Sequence, residues 1–172
     1  MANSFSYQVI KDTTEQVVIK LTGKFDGSGQ ELNHARIAAN SLYGALNANT
    51  VTGLLSQGGT ALPYYGLALN RLWYDCSSSG DVELYWHADT NVPLMFLNGN
   101  GEYDAGGSWT TIPNNAKGTP GCNGDIVLNT RGMAANDSYT IVAEFRKENE
   151  YYQRGQFNDP AAFNYGEYSI DP

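Results

Sequence analysis

Nucleophilic catalysis needs a serine or cysteine beside a histidine and an orienting acid. The chain holds two histidines, His34 and His87, and two cysteines, Cys76 and Cys122. No Gly-x-Ser-x-Gly elbow accompanies them. His87 follows Trp86 at the end of an alternating run and precedes Asp89, which reads as a surface or structurally satisfied histidine. Cys76 lies in a polar turn between Asp75 and Asp81, whose charges raise a thiol pKa and blunt its reactivity. The cysteines stand 46 residues apart, form no Cys-x-x-Cys pair and make no zinc spacing with the histidines, so they read as two reduced thiols. Paired carboxylates for glycoside hydrolysis do not stand out among the 18 acids. Gly27-Ser28-Gly29 leads into no Lys-Ser/Thr, and no Gly-x-Gly-x-x-Gly opens a helix, which leaves phosphate and dinucleotide sites unsupported. No catalytic residue, cofactor or metal is assigned.

Two loops alternate oxygen ligands with glycines, as a wrapped hard cation requires. They are Asp26–Glu31 and Asn98–Asp104. Neither matches a 12-residue EF-hand loop, and Asn-Gly is itself a hairpin signal, so both read as plain turns. Aromatic side chains offer a different chemistry. Twelve Tyr and three Trp among neutral polar residues could stack sugars, and Tyr64-Tyr65, Trp73-Tyr74 and Tyr85-Trp86 are the candidates. The same residue types fill cores and protein interfaces.

Elements that would position such groups follow from composition and period. The 172 residues are 41% hydrophobic and 12% aromatic, enough for one real core. Only 16% are charged, and 19 Gly with many Asn, Ser and Thr point to short strands joined by turns. Ten basic against 18 acidic residues leave a net charge of -8, which excludes a basic footprint for nucleic acid or anionic lipid. No apolar run reaches the roughly 18–20 residues of a membrane span. The first residues resemble no secretory signal, so synthesis and folding in a reducing cytoplasm are expected.

Period-two alternation predicts strands at 5–10, 16–22, 65–74, 82–87, 94–97, 125–130 and 138–146. A short segment at Trp109–Ile112 precedes Pro113. Asp12-Thr13-Thr14-Glu15 turns a first hairpin, and Cys76–Gly80 is expected to turn a second between the strands at 65–74 and 82–87. Residues 31–57 read as a short helix or an extended path, with Ala35–Leu46 the best helical stretch and Gly44 and nearby Asn weakening it. The fold class is therefore mainly β: an antiparallel β-sandwich, jelly-roll-like connections being one form it can take, holding at most one or two short helices.

A sandwich domain over 1–147 is followed by a different pattern over 148–172. Six aromatics, Tyr151, Tyr152, Phe157, Phe163, Tyr165 and Tyr168, keep neither period there, and Gly155, Pro160 and Gly166 break any helix. This reads as an extended arm whose aromatics bind a partner, the alternative being an arm folded back over its own sandwich.

Several phrases resemble small virion structural proteins of T4-like marine phages, of the cyanophage type. They are Leu21-Thr-Gly-Lys-Phe-Asp-Gly27, Asn40-Ser-Leu-Tyr-Gly-Ala-Leu46, Tyr64-Tyr-Gly-Leu67 with Arg71-Leu-Trp-Tyr74, and Val82-Glu-Leu-Tyr-Trp86. Gly132–Ile141 and Phe157–Asn164 add to the likeness, which covers most of the chain. The resemblance implies a particle component without enzymatic activity and carries over no catalytic residue. Localisation to the virion after assembly in the host cytoplasm is then expected. The partners would be other virion proteins, the major capsid protein or neck and tail proteins, with homo-oligomerisation on the particle. A capsid decoration or cement protein is the first expectation and a neck or tail component the second. The reading from a different class is a carbohydrate-binding β-sandwich module, for example on a tail fibre.

Overall fold

Buried side chains alternate along the strands Gln16–Lys24, Asp81–Trp86 and Ser138–Lys147, and two antiparallel sheets bring the buried residues together in one core. The computed structural model of the chain describes residues 3–46, 62–106 and 111–152. The strands are β1 (Ser4–Asp12), β2 (Gln16–Lys24), β3 (His34–Ile37), β4 (Leu67–Cys76), β5 (Asp81–Trp86), β6 (Val92–Leu97), β7 (Asn100–Asp104), β8 (Ile112–Pro113), β9 (Ile126–Arg131) and β10 (Ser138–Lys147). One sheet runs β1-β2-β10-β4-β7, with β8 also paired to β4, and the other runs β3-β9-β5-β6. The chain changes sheet at every connection except β1–β2, β5–β6 and β7–β8.

The first hairpin forms as its alternation demands. Val17, Ile19 and Leu21 of β2 are buried, and the Thr13 N–H donates to the Gln16 carbonyl at 2.9 Å to close the turn. On β10 the same period buries Tyr139, Ile141, Ala143 and Phe145. From the facing sheet come Val82, Leu84, Trp86, Ile126 and Leu128, and the Trp86 and Phe145 rings meet edge to face across the core at 6.2 Å. Gly23, opposite Tyr139, leaves the space that the phenol ring occupies.

Two expectations are corrected. The strands at 65–74 and 82–87 do not pair as a hairpin, because β4 lies between β10 and β7 while β5 lies between β9 and β6. The Cys76–Gly80 link is a corner between sheets: the Ser77 N–H donates to Ser138 O at 2.9 Å and the Ser138 N–H returns to Ser77 Oγ at 3.0 Å. A short polar loop serves a corner as well as a hairpin, and both strands alternate either way. Ala35–Leu46 is not a helix. Its start is β3, which pairs with β9, and the one helical element there is a 3-10 turn at Ala39–Ser41. Asp125 Oδ1 accepts from the Ala39 N–H at 2.8 Å and holds the segment against β9, while Gly44 takes φ 77°. The remainder of that ambiguous stretch, 47–57, and Trp109 lie outside the described residues.

The Asn98–Asp104 stretch contains more than a turn. Gly99 turns at φ 64°, and Asn100–Asp104 continues as β7 beside β4. Gly124 is needed on two counts. It adopts φ 93°, and an added Cβ would strike the Tyr65 carbonyl oxygen. Gly124→Ala is expected to destabilise the fold by about 2 kcal/mol or more, measured as a lower urea midpoint at unchanged slope.

Candidate functional site

The residues with chemical potential are dispersed. His34 Nδ1 lies 3.2 Å from Glu31 Oε1, and His87 Nδ1 lies 3.2 Å from the Gly121 carbonyl oxygen. Neither histidine bonds a serine or cysteine among the described residues. Cys76 and Cys122 are free thiols. Burial pushes the Cys76 thiol up to about 12, with Asp75 and Asp81 adding to the shift. The two aspartates were legible in the sequence, whereas the larger cause, burial on the inner face of β4, was not. Cys122 is also raised, chiefly by burial.

Three carboxylates of the two glycine-rich loops, Asp26, Glu31 and Asp104, are engaged internally. Asp26 Oδ1 accepts from the Ser28 N–H at 2.8 Å, and the Ser28 bonds hold the Asp26 carboxyl below its usual range. Glu31 turns into the protein, where its carboxylate accepts from the Tyr139 hydroxyl at 2.6 Å and pairs with the Arg36 guanidinium. In the second loop Asn98 Nδ2 bonds Gly80 O and Asp81 Oδ1, and Asp104 pairs with Arg71 at 3.2 Å. Among the described residues no three His, Cys, Asp or Glu side chains converge on a cation position.

A second buried polar centre was missed in the sequence. Lys147 is 2% exposed. Its ammonium donates to Asp12 Oδ1 at 2.5 Å, Thr13 O at 2.6 Å and Tyr43 O at 2.7 Å, and it lies 4.9 Å from the centroid of the Tyr152 ring. The signal was present, because Lys147 keeps the inward phase set by Tyr139, Ile141, Ala143 and Phe145. A charge at an inward position implies a buried partner. Replacing Lys147 by Met would leave Asp12 and two carbonyls without their donor. Breaking a buried pair in this way costs about 3–5 kcal/mol.

Of the aromatics assigned to partner binding, two are placed. Tyr152 is 1% exposed, bridges to Ala45, and donates its hydroxyl to Ala39 O at 2.8 Å. It is a core residue of its own sandwich. Tyr151 packs edge to face on Tyr64 at 5.0 Å, with the Lys117 ammonium 5.2 Å from its ring. Tyr152 is thus buried in its own sandwich, while Tyr151 is half-buried beside it. Phe157, Phe163, Tyr165 and Tyr168 lie outside the described residues.

Among the described residues two surfaces are open to recognition, at opposite edges of the larger sheet. The first is β1, which among the described residues pairs only with β2. Tyr7 and Val9 face inward opposite Leu21 and Ile19, yet are 45% and 43% exposed. The facing edge strand β3 spans only four residues. Arg36 and His34 reach Phe5 from it, the guanidinium 4.8 Å from the ring centroid. Within the bulge between Val9 and Lys11, Ile10 is 54% exposed. The second surface is the outer face of β4 and β7. Arg71, Trp73 and Asp75 project there opposite Asp104, Glu102 and Asn100, and Val142 lies beside Trp73 on β10.

No protein-family model matches the chain, and no curated protein or solved structure matches it either.

The buried acids give a pH signature. Cys76 at about 12 and Tyr139, pushed up by burial to about 12, both titrate above their ordinary values of 9.0 and 10.0. Above pH 9 the unfolded chain holds fewer protons than the native one, so stability present below that pH declines as pH rises toward 12. Urea midpoints are expected to fall over this window, less steeply in Cys76→Ser. A thiol reagent at pH 8 should titrate Cys76 only after unfolding.

Proposed function

We propose that the chain is a non-enzymatic virion structural protein that joins its particle through the open edge of its larger sheet. The observation that carries this reading is β1. It is nine residues long and exposes Tyr7, Val9 and Ile10, with Lys11 the one basic residue along it. An extended unpaired edge is a template for another strand, and monomeric proteins ordinarily shorten, charge or cover it. About 30 Å of backbone donors and acceptors are presented along such a strand. A partner strand would satisfy them while covering the overhanging side chains. The partner is another virion protein, first the major capsid protein beneath a decoration or cement subunit, and second a neck or tail component. The acidic, neutral-polar exterior keeps the unassembled subunit soluble and disfavours nucleic acid.

The aromatics beyond Tyr152 fit the same role as a docking arm, with Phe157, Phe163, Tyr165 and Tyr168 as partner contacts. Each anchor that becomes a hot spot contributes about 2 kcal/mol or more. The core position of Tyr152 moves the start of that arm from residue 148 to residue 153.

Quantitative mass spectrometry of purified virions tests the reading. Copy numbers matching the shell lattice assign a decoration protein, numbers matching the axial symmetry assign neck or tail, and absence from the particle overturns the proposal. Val9→Lys with Ile10→Lys should leave a cooperatively folding protein that no longer enters particles. Truncation after Tyr152 should fold and lose incorporation, whereas truncation after Glu150 should lose stability as well, because it removes the Tyr152 ring from the core. Full incorporation of both the lysine variant and the chain cut after Tyr152 would place the interface elsewhere.

A further inference from the structure

The second surface carries an independent inference. Trp73 stands on the outer face of β4 at 49% exposure, whereas Trp86 is fully buried. Its position follows from the strand period: Leu72 enters the core, and Trp73 must point the other way. An indole on an open sheet face leaves apolar area in water, and nothing in the sandwich requires it there.

Its surroundings are polar in a particular way. A hollow of about 340 Å³ is lined by Trp73, Asp75, Asn100, Gly101 and Glu102. Register sets these side chains: Trp73 is paired with Glu102 and Asp75 with Asn100, so two neighbouring rows carry an indole, two carboxylates and one amide. The polar groups one row away are satisfied internally, Arg71 by Asp104 at 3.2 Å and Glu144 by Asn70. Asp75, Asn100 and Glu102 make no side-chain hydrogen bond or ion pair with other described residues.

The geometry points to this hollow as a binding site for a neutral glycan. A pyranose offers an apolar C–H face to an aromatic ring and hydroxyl donors around its rim. Two carboxylates can accept from those hydroxyls, and the Asn100 amide can both donate and accept. Charge selects within the class. Asp75 and Glu102 face the hollow and no cation among the described residues lines it, so sulfated, sialylated and uronic-acid polymers are repelled. The site lies at the β7 edge, on the side of the sheet opposite β1. It leaves the assembly edge free, so a particle-bound subunit can hold a glycan.

The test uses the full chain, titrated calorimetrically with cello-, malto-, xylo-, manno- and chito-oligosaccharides and with a uronic-acid oligomer of similar length. Saturable binding of at least one neutral oligomer is expected, with none of the anionic one. Trp73→Ala should weaken it by about tenfold or more. Trp73→Tyr should retain binding within a few-fold, since a ring remains, and Glu102→Ala should weaken it without altering the urea midpoint. Failure of the whole neutral panel, preference for the anionic oligomer, or unchanged affinity in Trp73→Ala would each overturn the assignment. So would concentration-dependent self-association that Trp73→Ala abolishes, because this face would then be a protein contact. Virion copy number does not enter any of these readouts, so this inference and the assembly role stand or fall separately.

Discussion

The Lys147 ammonium is the contact on which one whole end of the sandwich depends. Its three N–H bonds reach the end of β1, the turn after it and the loop that follows the 3-10 turn, and its charge lies over the ring of Tyr152. Three stretches of the chain, at residues 12–13, 43 and 147–152, thus meet around one atom. A buried ammonium is costly unless every donor is used and a counter-charge is close. Here both conditions hold. At the other end of the same strand Tyr139 occupies the same inward phase and bonds Glu31, which in turn holds Arg36. β10 therefore runs from one polar pin to another, with Ile141, Ala143 and Phe145 buried between them. Hydrophobic burial supplies the cohesion of such a core, while the pins restrict which strand ends can meet.

Much of this architecture was legible residue by residue, and what was not has a physical reason. Val17, Ile19, Leu21 and Ile141, Ala143, Phe145 announce their strands because one face is buried and the other wet. The pairing of β4 with β10 and β7 was illegible, because alternation reports which face is buried and is silent on the neighbour. His34–Ile37 escaped because four residues are too few for a period to show, and its Ala-rich continuation mimics a helix. Asn100–Asp104 escaped because glycine and acids dominate an edge strand whose outer face is solvated. Tyr152 was grouped with the aromatics after it by composition, and only the Ala39 carbonyl and the Lys147 ammonium distinguish its place from theirs. Among the candidate surface residues, Trp73 was visible as an aromatic in an alternating run. Its outward phase follows from Leu72, but the row it shares with Asp75, Asn100 and Glu102 depends on the pairing of β4 with β7, and the Asn-Gly pattern of 98–101 signals only a turn.

The larger sheet is asymmetric in a way that separates its two edges. At β1 the inner face outruns its cover, so apolar side chains and open backbone occur together. At β7 the inner face is closed by Tyr74 and Tyr103 against the core, and the interest shifts to the outer face, where polar side chains flank one indole. Edge chemistry of the first kind suits another strand, and face chemistry of the second kind suits a small polar ligand. One sheet can present both because its central strands, β2, β10 and β4, take no part in either.

The central place of β10 also sets the order in which the molecule can be made. β2 finds its inner neighbour only when Val17 meets Phe145, and β4 only when Leu72 meets Ala143. During synthesis the first hairpin and the β5–β6 hairpin can close locally. The larger sheet, however, stays split into two halves until residues 138–147 have cleared the ribosome. Closing loops of that length before any long-range pairing rewards them places the chain among slow, topology-limited folders. Until then the unfinished halves show open edges on β2 and β4, which only the chain's own last strand covers.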